Sequence, residues 1–327
     1  MNSAPLVSIV TPVYNGAQFL RECIESVLAQ SYRNWQYLIL NNCSTDDTLQ
    51  IAQEYARKDA RIRVESNESL LPIIANHNKA FARISPEAKY CKQVSADDWL
   101  FPECLEKMVA LAEANPSVGI VNSYQLSGAG TQWTNWQVRW DEIPHTAGII
   151  RGHEVCRQQL LTGVYVFGTP TSLLYRADLV RKKEEFFPND SPHADTSACY
   201  QCLQESDFGF VHQVLSYERI HEKQASEESR NLNAFDAARL SDLMEYGPAF
   251  LTRSELERRK AEIVEHYYDF LAARSLRRPG RAFWKFHREK LAAVSSGLSP
   301  LRLSTALFRK IVDLAFNPKS SLEKAMR

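Results

Sequence analysis

Two adjacent carboxylates, Asp97 and Asp98, stand just beyond the apolar run Tyr90–Val94. About fifty residues earlier a second polar cluster, Asn41-Asn-Cys-Ser-Thr-Asp-Asp-Thr48, follows the apolar stretch Trp35–Leu40. Both clusters fall where a strand is expected to end and a helix to begin. In an open parallel sheet such ends share one edge, and ligands bind there. A carboxylate pair at that edge suits a hard divalent cation, Mn2+ or Mg2+, that bridges phosphates. The plainer reading of the same pair is an N-terminal helix cap with no metal.

These clusters need a scaffold, and the first half of the chain supplies its pattern. Leu6–Val13 reads as a buried strand, and Leu20, Ile24, Val27 and Leu28 follow with helical spacing. Trp35–Leu40 is the next strand. Ser44 is placed to cap a helix running through Tyr55, with Asp46 and Asp47 in its first turn, where the helix dipole favours acids. Arg61–Val64 reads as a short strand, Leu71–Ile84 as a helix, and Tyr90–Val94 as the strand that feeds the Asp pair. Pro102 suits the first turn of a helix carrying Leu105, Met108, Val109 and Leu111, and Val118–Tyr124 is a further strand. Strands alternating with helices predict an α/β fold with a parallel sheet. No G-x-G-x-x-G follows the first strand, which argues against a dehydrogenase. A glycine-rich, basic phosphate loop is missing there too, which argues against a nucleotidyltransferase.

The chain has 327 residues with 39 basic and 39 acidic side chains, so it lacks the global positive field of a nucleic-acid binder. No apolar run is long enough to span a bilayer and no signal peptide opens at Met1, so a cytoplasmic location is expected. The seven cysteines are scattered and read as reduced thiols. Cys199 and Cys202 have zinc-ligand spacing, with His153 and Cys156 as candidate partners; burial on a helix face is the plainer reading. Residues 222–233 are polar and without periodicity. They predict a boundary between a domain at 1–226 and a helical extension at 227–327, itself broken at Pro279-Gly280 and at 295–300.

Taken in order, Val7-Ser-Ile-Val-Thr-Pro-Val-Tyr-Asn15, Ser26–Tyr32, Asn41–Thr48 and Ser95-Ala-Asp-Asp-Trp99 resemble the family 2 glycosyltransferases. The resemblance extends over roughly Pro5 to Ser226. It implies a GT-A fold, with a Rossmann-like, mostly parallel central sheet flanked by helices, here followed by a C-terminal helical extension. It also implies a nucleotide-sugar donor, UDP-sugar favoured, a divalent cation and inversion at the anomeric carbon. The acceptor would be a glycan or lipid-linked hydroxyl, in the synthesis of a surface polysaccharide or other glycan. A nucleotide-sugar-binding or scaffold protein without turnover is the alternative.

By this resemblance Thr11, Pro12, Tyr14 and Asn15 belong to the loop that receives the base. Asn41 and Asn42 replace an acidic or Asp-Asn pair; an Asn accepts through its carbonyl and donates through its amide, or merely shapes a turn. Asn67, His77 and Asn78 flank the donor, His77 standing where many relatives carry Arg. A neutral imidazole compensates a diphosphate less than a guanidinium does, and a surface position on a helix is its plainer reading. Asp97 and Asp98 match the metal motif, with Ser95 in the place of a common Asp, and Ser95, Ala96 and Asp97 belong to the donor-binding set. Asp97 is the leading metal ligand; Asp98 would hold the loop, the ribose or a metal-bound water. Asp195, preceded by Ala194 instead of an acid, aligns with the catalytic base, and Asp190 competes for that role. The plainer reading of Asp195 is a first-turn helix acid. His221 would reach the metal or diphosphate and Lys223 a phosphate, unless both are solvated loop residues. Trp133, Trp136 and Trp140 would stack on an acceptor sugar or pack a lid.

The C-terminal stretch 274–316 is strongly basic, and Phe283, Trp284, Phe286, Leu303, Leu307 and Ile311 interleave with its charges. Such a segment suits peripheral contact with an anionic membrane, a homodimer interface, or a solvated face.

Overall fold

Every residue of the first strand, β1 (Val7–Val13), is buried, as a strand covered on both faces must be. The computed structural model describes residues 4–128, 137–139, 148–188, 193–221, 232, 234–294 and 297–316. The chain divides into two compact units, Met1–Ala225 and Ser226–Arg327.

In the first unit β1 is followed by α1 (Leu20–Leu28), β2 (Trp35–Asn41), α2 (Thr48–Lys58), β3 (Ile62–Ser66), α3 (Ile73–Phe81) and β4 (Tyr90–Gln93). Then come β5 (Trp99–Leu100), α4 (Cys104–Ala114), β6 (Val118–Gly128), β7 (Gln137–Arg139), β8 (Ile149–Ile150) and α5 (Gly152–Thr162). A 3-10 turn at Pro170–Ser172 precedes β9 (Leu174–Arg176), α6 (Ala177–Arg181), α7 (Ala194–Leu203) and β10 (Asp207–Arg219). The strands form one mixed sheet in the order β3-β2-β1-β4-β9-β6-β10-β5, with β7 on β6 and β8 on β10. Its long ladders, β3-β2-β1-β4 and β6-β10, are parallel; β9 joins the two parts antiparallel to β4 and β6. The sheet is therefore mostly parallel and flanked by helices, as expected for a GT-A fold. Leu20, Cys23, Ile24 and Val27 of α1 repeat at helical spacing and are all buried, which is why that segment coils against the sheet.

Three local expectations need correction. Ser44 is not a helix cap, because α2 starts at Thr48. The Ser44 hydroxyl instead accepts the Asn15 N–H at 2.9 Å. Asp46 organises the turn: Oδ1 accepts the Thr48 N–H at 3.1 Å and Oδ2 accepts the Ala17 N–H at 3.1 Å. The helix expected over 71–84 is shorter because Pro72, with φ −54° and ψ 152°, is extended and α3 starts after it. The Asp pair does not cap a helix either. It lies in a turn between β4 and β5, and α4 starts only at Cys104. β5 pairs antiparallel with β10, and Trp99 stacks on Tyr217 with ring centroids 3.7 Å apart. That long-range pairing draws the chain into a strand where local signals suggested a helix start.

The second unit is helical: α8 (Phe235–Phe250), α9 (Arg253–Ser275), α10 (Arg281–Val294) and α11 (Pro300–Phe316). Thr252 and Glu255 close a capping box at the start of α9, which satisfies two otherwise unpaired backbone donors. His287 is buried between the Tyr267 hydroxyl, 2.5 Å from Nδ1, and the Leu232 carbonyl, 3.0 Å from Nε2. Burial pushes its pKa down to about 4, so the imidazole is neutral in the fold. Among the described residues no helix is long and apolar enough to cross a membrane.

Candidate active site

Asp97 and Asp98 are neighbours in sequence with opposite surroundings. Asp98 is 5% exposed and both its carboxylate oxygens are occupied. Oδ2 accepts the Thr171 hydroxyl at 2.6 Å, and Oδ1 accepts the Arg219 N–H at 2.9 Å. Burial, reinforced by the Asp97 charge, pushes the Asp98 carboxyl well above the usual carboxylate range. Asp97 turns outward, and its Oδ2 lies 2.9 Å from Nε2 of His221, just beyond β10. The Asp97 and His221 side chains are partly exposed, at 29% and 24%, so both can meet a ligand. The predicted metal trio is thus divided: Asp97 and His221 come together, whereas Asp98 anchors the turn from beneath.

The anchor recruits residues far apart in sequence. Lys92 is fully buried on β4, and its Nζ donates to the carbonyls of Thr171 at 2.8 Å and Leu173 at 3.1 Å. This holds the segment that presents Thr171 to Asp98 and to Ser95, whose N–H donates to the Thr171 hydroxyl at 3.1 Å. Burial lowers the Lys92 pKa. Arg219 is the residue that sequence reasoning missed. Its side chain is 4% exposed and donates from Nε to the Asp97 carbonyl at 3.1 Å and from Nη2 to Glu22 at 2.6 Å. Its guanidinium also lies 4.3 Å from the Phe19 ring centroid. Nothing local singles out Arg219, because its partners lie at positions 19, 22, 97 and 98.

The base loop is built by clamping two turns together. Asn15 has φ 50°, and its Oδ1 accepts the Thr45 N–H at 2.8 Å. A side chain at Gly16 would bring Cβ within 2.6 Å of a Val13 methyl, so only glycine lets this turn close. Tyr14 remains 49% exposed above the clamp. Thr11 is buried, with its hydroxyl donating to the Val94 carbonyl at 2.7 Å and lying 2.8 Å from the Tyr37 hydroxyl. It ties strands together beneath the loop, beside Pro12 on β1. Ala96 lies in the Asp97 turn, 3.3 Å from where a Cβ at residue 16 would stand.

An asparagine cluster closes the β2–β3 edge. Asn41 Oδ1 accepts the Ser44 N–H at 3.1 Å, so the turn-shaping role is physically present. Asn42 makes paired bonds with the Leu71 backbone, 2.9 Å each way. Asn67 donates to Asn42 Oδ1 and Asn76 Oδ1, both at 2.8 Å, while its own buried Oδ1 meets no donor among the described residues. Asn78 makes paired 2.7 Å bonds with the Phe187 backbone. His77 places its ring 6.0 Å from Phe187, and burial of the ring lowers its pKa to about 4. It is therefore neutral near pH 7, and a cationic substitute for Arg is not what this position provides.

Asp195 opens α7, and its Oδ1 accepts the Thr196 N–H at 2.9 Å, the geometry of a first-turn acid. Contacts connect that turn to the Asp98 anchor. Thr196 and Tyr165 hydroxyls are 3.2 Å apart, Tyr165 donates to the Gly168 carbonyl at 3.0 Å, and Thr171 of the same segment reaches Asp98. Asp190, Lys223, Trp133, Trp136 and Trp140 lie outside the described residues. Cys156, Cys199 and Cys202 are buried, and burial pushes their thiols up, Cys202 to about 12, against the thiolate that zinc requires.

Among the described residues no group of three or more His, Cys, Asp or Glu is arranged to hold a metal ion. The Asp97–His221 pair fits a cation that draws its other ligands from water and substrate phosphates, and does not fit a closed structural zinc site.

Comparisons with known proteins agree with this architecture. Putative glycosyltransferase EpsE of Bacillus subtilis is 33% identical over 171 residues, 52% of this chain and 55% of EpsE. Putative teichuronic acid biosynthesis glycosyltransferase TuaG of the same organism is 36% identical over 108 residues, 33% of this chain and 42% of TuaG. The chain spans about half the length of these curated relatives. The crystal structure of S. aureus TarS 1-349 in complex with UDP-GlcNAc matches with a TM-score of 0.64 at 16% identity. That match covers 98% of this chain and 89% of the other, and it speaks to the fold alone. The model of glycosyl transferase family 2 matches residues 8–182, more than half of the sequence and nearly all of the β1–β6 scaffold that carries the Asp97 turn, so the chain belongs to that family.

Proposed function

We propose that this protein is a metal-dependent, inverting glycosyltransferase. It moves a sugar from a nucleotide-diphosphate donor, UDP-sugar favoured, to a hydroxyl of a glycan or lipid-linked acceptor. The observation that carries this reading is the outward Asp97–His221 pair, 2.9 Å apart and underpinned by Asp98, Thr171 and Arg219. Asp97 and His221 would hold Mn2+ or Mg2+, which supplies charge neutralisation of the diphosphate leaving group. Tyr14 offers its exposed ring to the base, and the clamped turns at Asn15 and Asn41 shape the loop that would receive it. Ser95 and Asp98 fix the turn. Asp195 takes the proton from the acceptor hydroxyl as the glycosidic bond forms. The donor bound in the TarS structure and the pathway in the name of TuaG support a nucleotide sugar and a role in surface polysaccharide synthesis.

A binding protein without turnover is the competing reading, favoured by the amides at 41 and 42, whose side chains already bond to protein. Calorimetry of UDP with and without Mn2+ on the native protein and Asp97→Ala tests the proposal. The expected result is Mn2+-enhanced binding that the substitution abolishes, with Mn2+-dependent hydrolysis of a UDP-sugar by the native protein only. Metal-enhanced binding that survives in Asp97→Ala removes the residue from this role, and binding without hydrolysis supports the inactive reading.

A further inference from the structure

The helical unit reveals which apolar residues its core leaves uncovered, and they are not the ones that interleave most densely with charge. Phe283 is buried, with its ring centroid 4.2 Å from that of His287. Leu291 is fully buried as well. On α11 the inner side is fixed by Ala306, which has no exposure, and by Arg309, which pairs with Glu265 at 2.7 Å and Asp269 at 3.1 Å on α9. The opposite side carries Leu301, Phe308, Val312 and Phe316 at helical spacing, 76%, 68%, 37% and 80% exposed, with Ile311 beside them at 50%. These residues make an apolar stripe about 22 Å long, given a rise of 1.5 Å per residue. A soluble surface rarely leaves so many large side chains together unless something covers them.

The surrounding charge identifies the cover. Residues 274–316 hold ten Lys and Arg against two acids, Glu289 and Asp313, in a chain whose formal net charge is zero. A second copy of this stretch would bring the same surplus of eight positive charges to the interface. An anionic lipid surface brings the opposite sign and an apolar interior beneath it.

We propose that α11 lies flat in the headgroup layer of an anionic bilayer. Leu301, Phe308, Val312 and Phe316 enter the acyl boundary while the basic residues of α10 and α11 other than Arg309 meet the lipid phosphates. This inference is independent of how the donor site is read, since it uses no residue of that site.

The test is flotation of the full chain with phosphatidylcholine vesicles and with mixed phosphatidylcholine–phosphatidylglycerol vesicles, at low and high salt. The native chain floats with the mixed vesicles at low salt and is released at high salt, because exposed charges are screened. Phe308→Ser combined with Phe316→Ser leaves the helical circular dichroism unchanged, since both rings are exposed, and weakens partition about a hundredfold, tenfold per ring. Phe308→Trp binds like the native chain, and the emission it adds over the six native tryptophans, read as the difference from the native chain, shifts to the blue on the mixed vesicles. Equal flotation with both lipids, no flotation with either, or an unshifted tryptophan would overturn the proposal. A concentration-dependent dimer that the two serine substitutions dissolve would assign the stripe to a second copy instead.

Discussion

Replacing Arg219 by Met keeps the length of the side chain and removes only its guanidinium. The structure sets the cost. The Asp97 carbonyl loses a buried donor at 3.1 Å, worth about 1–2 kcal/mol. The ion pair to Glu22, whose side chain is 51% exposed, contributes about 0.5–1 kcal/mol. The contact over the Phe19 ring at 4.3 Å adds about 1 kcal/mol. Relief of a buried charge opposes these losses, so a net destabilisation of about 2 kcal/mol is expected. For a unit of this size that is a fall in Tm of about 4–8 °C. The backbone N–H of residue 219 still reaches Asp98, so the turn stays in place but its outer half loosens. Mn2+-dependent UDP affinity should fall about 10–100-fold, the usual cost of losing a group that orients a ligand. Glu22→Gln is the comparator: it retains the guanidinium over Asp97 and leaves affinity nearly unchanged. Thermal melts and calorimetry on the full chain measure both effects. If Arg219→Met melts lower but binds Mn2+ and UDP like the native protein, Arg219 is only a fold residue and its positioning role is refuted.

Asp195→Asn should leave donor affinity intact and lower transfer about 10²–10⁴-fold, since shape is kept and basicity lost. Should Asp190→Asn abolish transfer while Asp195→Asn does not, the base assignment moves to Asp190. His287 provides a pH signature of the helical unit. Its pKa of about 4 in the fold lies below the unfolded value of ~6.5, so acidification charges the unfolded chain first and stability falls across that window. The loss is about 1–2 kcal/mol after screening by solvent, levelling off below the folded pKa. Thermal melts from pH 7 to 4 read this slope, and an identical slope in His287→Gln would show that another group causes it.

The scaffold was legible where one segment decides its own state. β1 and β2 are short apolar runs buried almost throughout, and α1 buries a periodic face, so all three are visible without partners. The site was legible only as far as adjacent residues reveal chemistry. Asp97-Asp98 follows β4 as its spacing implied, but which carboxylate turns outward depends on Thr171 and on the Arg219 backbone, 73 and 121 residues away. The same limit hid the second bond of Asp46, whose Oδ2 accepts the N–H of Ala17, 29 residues earlier. In the tail, hydrophobicity alone could not separate Phe283, which packs on His287, from Phe308, which stays 68% exposed.

The division between Asp97 and Asp98 has a physical logic beyond this pair. Two ionised carboxylates on one turn repel each other, and one buried without partners would carry a large desolvation cost. Here the inner carboxylate receives the Thr171 hydroxyl and the Arg219 N–H, so its burial fixes the turn. The guanidinium of that same Arg219 donates to the carbonyl of the outer one, so a single residue of β10 addresses both acids. The Asp97–His221 pair therefore forms only after β10 has entered the sheet between β6 and β5, because His221 and Arg219 both arrive with its end. The clearest sequence motif lies in the first hundred residues, whereas the groups that orient it arrive 73 to 124 residues later, from the Thr171 segment and from the end of β10.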